Sequence, residues 1–226
     1  MSIIKLIRDV QSRFEAIPGP AAEFYNLTAA KLLRKPENKI AADVIAAIKN
    51  GSVLDIGCGT GFLAIEIAKK SPQLKVYGID LSSQMVKISR RHAKGLENTE
   101  FILSNAAALP FEDRSIDFIV STGSLHHWKN PDKVFADCYR ILKDGGQAWI
   151  YDPCYDAVQV DIKGIKKRYG TIVYLILTKV TRMHGFSKEE YEGKIKALLD
   201  NSGFKDNYHM QLTDLWMKVT LKKQPI

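Results

Sequence analysis

Cysteine is scarce in this 226-residue chain, and Cys58, Cys138 and Cys154 are odd in number, far apart and without C-x-x-C spacing. That pattern excludes a disulfide framework, and without a matching histidine set it gives no sign of a zinc site. Long uncharged apolar runs are missing too, so nothing reaches the roughly 20 residues that a membrane-spanning helix needs. Lys5, Arg8 and Asp9 interrupt the first apolar pattern, which breaks the core of a secretory signal. No low-complexity tract or internal repeat stands out, which excludes solenoid and fibrous architectures. A reducing, cytoplasmic setting is the expectation. Acids are outnumbered, 25 Asp and Glu against 33 Lys and Arg, for a net charge of +8. Such an excess either attracts anionic partners (nucleic acid, acidic metabolites, a membrane surface) or is a solvated lysine-rich exterior. With 46% hydrophobic and 26% charged residues, the chain has the makings of one folded domain with a small appended cap.

What the chain does have is an apolar run that ends in an acid and then in alternating glycines, Val53-Leu54-Asp55-Ile56-Gly57-Cys58-Gly59-Thr60-Gly61. Helical spacing resumes at once in Phe62 to Ala68, so the glycines occupy a strand-to-helix turn. Without Cβ atoms they permit positive φ and a close ligand, and the next helix offers unpaired N–H groups. The turn does not suit phosphate. Phe62 stands where a dinucleotide fingerprint needs its third glycine, and no Lys-Ser/Thr pair follows. Asp55 would repel a pyrophosphate but suits an ammonium or sulfonium. Asp80 closes the next apolar run, where a carboxylate can accept both hydroxyls of a ribose. An adenosine with a cationic tail and no phosphate fits S-adenosylmethionine.

The motifs Asp55-x-Gly57-x-Gly59-x-Gly61, Gly78-Ile79-Asp80-Leu81-Ser82, Ala108-Leu109-Pro110-Phe111, Leu125-His126-His127-Trp128 and Arg140-Ile141-Leu142-Lys143-Asp144-Gly145-Gly146 follow in order. Together they resemble the class I S-adenosylmethionine-dependent methyltransferases, in the small-molecule branch that includes ubiquinone and menaquinone biosynthesis enzymes. The resemblance implies a doubly wound α/β fold. It would have a mostly parallel seven-stranded sheet, helices on both faces, the last strand antiparallel at the sheet edge, and a helical cap. It divides the chain into an N-terminal helical lid (1–49), a cofactor-binding core (50–153), a helical substrate-cap insertion (154–186), and a C-terminal helix and hairpin that complete the core (187–226).

Cofactor-binding candidates are Asp55, Gly57, Cys58, Gly59, Thr60 and Gly61 in the turn, and Asp80 and Leu81 at the second strand. Met85 is the candidate for the adenine face, and Ser121 for the end of the fourth strand. Asn105 departs from the family's acid after the third strand. Its side-chain carbonyl can still accept from the adenine amino group, with Ala106 N–H serving a ring nitrogen. Tyr25, in Phe24-Tyr25-Asn26, resembles the N-terminal residue that closes over the methionine end.

Methyl transfer from a sulfonium needs alignment and dryness more than acid–base help. Where the acceptor must lose a proton, a histidine suits the task. His126 and His127 are the catalytic candidates, with a loop-shaping role as the alternative. Asp152-Pro153-Cys154-Tyr155 looks like two nucleic-acid methyltransferase signatures, but those follow the fourth strand and this follows the fifth. No metal is expected. The expected acceptor is a small aromatic or amphiphilic molecule, with peripheral membrane contact open through the 154–186 segment. The competing reading is an RNA-binding methyltransferase or a non-catalytic relative that uses its basic surface.

The spacing also predicts helices opening at Pro36 (37–49) and from Ser187 to Leu199, the latter with a capping box between Ser187 and Glu190, and a closing hairpin over 204–210 and 215–221.

Overall fold

The computed structural model describes residues 29–213 and 216–225; Tyr25 and the first part of the expected 1–49 lid lie outside them. Helix α1 (Ala29–Ala47) precedes β1 (Gly51–Ile56), α2 (Phe62–Lys70), β2 (Leu74–Asp80), α3 (Ser83–His92) and β3 (Thr99–Leu103). Then come β4 (Ile116–Thr122), a 3-10 turn at Leu125–His127, α4 (Pro131–Ile141) and β5 (Leu142–Pro153). The insertion supplies α5 (Tyr155–Val160), α6 (Ile162–Tyr169) and α7 (Thr171–His184). A last helix, α8, runs through Lys188–Glu190, a π-helical stretch Tyr191–Ile195 and Lys196–Asp200, before β6 (Tyr208–Thr213) and β7 (Trp216–Lys222).

The seven strands lie in the order β3-β2-β1-β4-β5-β7-β6. The first five are parallel, and β7 runs antiparallel to both of its neighbours. The expected antiparallel last strand is therefore present, but not at the edge. The hairpin folds back so that β7 pairs with β5, and β6 takes the rim.

Strand β1 is central, and Val53, Leu54, Asp55 and Ile56 are all buried because helices cover both faces. One core packs α1, α2 and the inner faces of α6 and α7 against the sheet; the other packs α4, α8 and the hairpin against the opposite face. Strand order reverses between β1 and β4, the crevice where ligands settle in such sheets.

Helix α1 begins before Pro36 and continues through it, contrary to the expected start at 37. A proline there forgoes one backbone bond. The apolar face of Ile40, Ala41 and Val44, packed beside α2, holds the helix through that loss. The capping box at Ser187 and Glu190 forms as expected.

Two polar devices hold motifs whose chemistry is structural. Arg140 donates to Asp137, Asp113 and the carbonyls of Leu109 and Phe111, which ties the Ala108–Phe111 loop to α4. Lys223, 4% exposed, donates to the carbonyls of Tyr139 and Leu142 at the end of α4, where a helix C-terminus favours a cation.

Candidate functional site

The glycine turn is the first half of the site. Gly57 and Gly61 both have positive φ, at 71° and 80°. A Cβ on Gly57 would stand 2.6 Å from Ser124 Cβ, and one on Gly61 2.9 Å from the Phe101 ring. Gly59, φ 52°, faces nothing within 4 Å among the described residues. Two glycines are thus required by packing, and the middle one borders open space that a ligand can enter.

Asp55 is 1% exposed at the end of β1, and among the described residues its Oδ1 has no hydrogen-bond partner. Burial, and then the charge of Asp80, push its carboxyl up to about 7, with the Ala64 backbone N–H opposing. Asp80 accepts from Gly59 N–H at 2.9 Å and Ser82 N–H at 2.8 Å, so it fixes the turn while keeping acceptor capacity. Burial raises its pKa as well. Glu37 of α1 is a third acid: burial, then Asp55, push it up to about 8 against the lowering effect of Arg34.

An orphaned buried carboxylate costs several kcal/mol, on the order of the penalty for one uncompensated ion. Asp80 hinders the ionisation of Asp55, and Asp55 that of Glu37, so the end of β1 is an acidic environment that favours a cation. The residues present therefore fit the charge of S-adenosylmethionine.

The remaining cofactor candidates fall as follows. Cys58 and Thr60 are buried in the turn, Leu81 is 37% exposed beside Asp80, and Met85 is 1% exposed within the fold. Asn105 Oδ1 already accepts from Ala107 N–H at 2.8 Å, an Asx turn that shapes the loop around half-buried Ala106. Ser121 is fully buried and points into the structure: its Oγ donates to Ile56 O at 2.8 Å and bonds Ser124 Oγ. It braces β4 against β1.

The same brace carries the second half of the site. Ser124 sits over Gly57 and opens the turn that holds His126 and His127. His126 Nδ1 lies 2.9 and 3.1 Å from the two oxygens of Asp152, which is fully buried at the end of β5. Tyr191 O–H donates to Asp152 Oδ2 at 2.6 Å and to Pro153 O at 3.2 Å. Tyr191 belongs to the π-helical stretch of α8, a distortion that recurs at functional positions. Burial, then Asp152, hold its phenol well above the usual range, so it remains a donor. The carboxylate accepts from both partners, which makes Nδ1 the protonated nitrogen of His126 and Nε2 the basic one. His127 packs its ring 4.0 Å from that of His126.

Asp152 and Tyr191 were not among the sequence candidates, nor was Glu37. Asp152 had a signal, since it ends a parallel strand as Asp55 and Asp80 do. Tyr191 had none, because only the fold brings α8 to β5. Burial raises the pKa of Cys154, which argues against a reactive thiolate there. Among the described residues there is no cluster of His, Cys, Asp and Glu able to hold a metal.

Comparison with known proteins settles the family. Residues 53–146 match a family model described as a methyltransferase domain. Demethylmenaquinone methyltransferase of Listeria welshimeri is 30% identical over 185 residues, 80% of this chain and 76% of that one. The chain belongs to the class I S-adenosylmethionine-dependent methyltransferases.

The enzyme of the same name from Staphylococcus carnosus is 30% identical over 70% of both chains. A solved structure from Methanococcus maripaludis, described as an S-adenosyl-L-methionine-dependent methyltransferase, superposes with a TM-score of 0.77 at 26% identity, over 92% of this chain and 94% of that one. The methyltransferase fold thus holds across nearly the whole length, although the family model reaches only the central part.

Proposed function

We propose that this methyltransferase acts on a small aromatic or amphiphilic acceptor that surrenders a proton as it is methylated, with His126 as the base. The carrying observation is the bond from His126 Nδ1 to buried Asp152. An aspartate so placed orients the imidazole and stabilises the cation that forms when Nε2 takes a proton. The demethylmenaquinone methyltransferase relatives support a quinone-like acceptor.

Bound S-adenosylmethionine supplies an electrophilic methyl on a leaving group that is already activated. Asp55 would face its cationic tail, Asp80 its ribose hydroxyls, and the Gly57–Gly61 turn would let it lie against the backbone. The 154–186 segment would serve as the acceptor cap and help to exclude water.

The test is calorimetry and turnover together. The chain should bind S-adenosylhomocysteine, and His126→Ala should lower turnover on a quinol acceptor about 10²-fold or more while leaving cofactor affinity intact. Affinity for NAD with none for S-adenosylhomocysteine would refute the cofactor assignment. Unchanged turnover in His126→Ala would return that histidine to loop shaping.

A further inference from the structure

Five large apolar side chains of the described structure are exposed: Leu81, Leu103, Ile172, Leu175 and Ile176. Leu81 follows β2 and Leu103 ends β3, beside the cofactor crevice. The other three belong to one helix, α7, at 75%, 60% and 39% exposure. Their spacing of three and four residues puts them on a single face, which Lys179 continues. The opposite face carries Tyr174 and Thr181, at 9% and 3% exposure, so α7 is packed correctly and still turns an aliphatic stripe outward.

Charge surrounds that stripe with one sign. From residue 162 to 184 the chain has Lys163, Lys166, Lys167, Arg168, Lys179 and Arg182 and not one Asp or Glu. On α6 Ile165 is fully buried and Ile162 and Tyr169 are half-buried, while Lys163, Lys166 and Lys167 are exposed.

We infer that the outer face of α6 and α7 docks on an anionic phospholipid bilayer. An aliphatic stripe rimmed by lysine and arginine, with the adjoining acid Asp161 paired to Arg168, is the composition of an interfacial helix. A protein hot spot would favour aromatic anchors over this Ile-Leu-Ile stripe. Both ends of the segment are fastened at the site. Cys154 bridges to Phe186, and the Phe186 ring lies 5.3 Å from that of Tyr191, which holds Asp152. Docking therefore brings the bilayer to the helices that adjoin the acceptor side of the site. Only that last consequence, direct uptake of an amphiphilic acceptor, rests on the proposed function; membrane docking does not.

The experiment is cosedimentation of the full chain with vesicles of phosphatidylglycerol and phosphatidylcholine, against phosphatidylcholine alone. Binding to the acidic vesicles, weakening as salt rises, is the expected result. Ile172→Ser with Leu175→Ser should weaken it about tenfold or more, and Lys163→Gln with Lys167→Gln by a similar factor. S-adenosylhomocysteine affinity should stay unchanged in both, which shows that they fold. The salt titration of the unmutated chain reads the proposal independently of any variant. No binding to acidic vesicles at low salt, or binding untouched by the serine pair, would overturn it. So would retention on generic RNA without vesicle binding, which would assign the basic face to nucleic acid. A failed methyl-transfer assay alongside positive vesicle binding would refute the acceptor assignment and leave docking standing.

Discussion

Asp55 and Asp152 occupy corresponding places, each buried at the carboxyl end of a parallel strand, at 1% and 0% exposure. Their surroundings are opposite. Asp152 accepts from His126 and Tyr191, and both partners are side chains of this chain. Asp55 keeps an oxygen with no partner among the described residues and faces the charges of Asp80 and Glu37. A saturated carboxylate holds a neighbour in position, whereas an unsatisfied one destabilises the fold until a cation arrives. Two residues of one type at one structural position thus divide the work of the site, and substitution can test that division.

The largest effect should come from Asp152→Asn. The amide can present its N–H to Nδ1 and so favour the wrong tautomer, and turnover should fall about 10²-fold or more with little change in cofactor affinity. Equal losses in both would mean that Asp152 only supports the fold. Asp55→Asn should do the reverse, weakening S-adenosylhomocysteine binding about 10-fold or more while raising the melting temperature of the ligand-free protein above pH 7. A lower melting temperature there would erase the contrast between the two aspartates.

The raised acids set a pH dependence of definite sign. Asp55 and Glu37 bind protons more tightly in the folded chain than unfolded, so ligand-free stability should decline as pH rises from about 4 towards 7 and 8. A cationic ligand favours their ionised forms. Its affinity should therefore increase as pH rises through about 7, by at most about tenfold per unit for each coupled proton. Titrations at pH 6 and 8 check the direction, and Asp55→Asn should flatten the curve. The smallest effect is expected of Tyr191→Phe, which removes one of Asp152's two donors: about 1 kcal/mol of stability and a few-fold in turnover. A loss as large as that of Asp152→Asn would make Tyr191 a participant in the chemistry.

The strands and the glycine turn were legible because their causes are local. A β-branched run buried on both faces, an acid at its end and glycines that must reach positive φ are all written within ten residues. The same reasoning put Asp80 at the end of the second strand. It left open the direction of Ser121, whose Oγ turns to Ile56 O, since a place at a strand end does not fix where a side chain points. The likeness of Asp152-Pro153-Cys154-Tyr155 to nucleic-acid signatures left Asp152 unassigned. The partnership of Asp152 with His126 and Tyr191 spans 26 and 39 residues and depends on where α8 packs. Glu37 escaped for a similar reason, since the approach of α1 to Asp55 is a property of helix packing and not of spacing. The position of β7 likewise depends on how the hairpin folds back, which alternation of apolar residues does not encode.

The acidic pocket at the end of β1 is most directly tested by counting protons. Calorimetric titration with S-adenosylhomocysteine at pH 7, repeated in buffers of different ionisation enthalpy, reads the protons exchanged on binding. A partly protonated Asp55 that ionises against the ligand's ammonium should release protons, and Asp55→Asn should abolish most of that release. Proton uptake, or release that survives the substitution in full, would contradict the account.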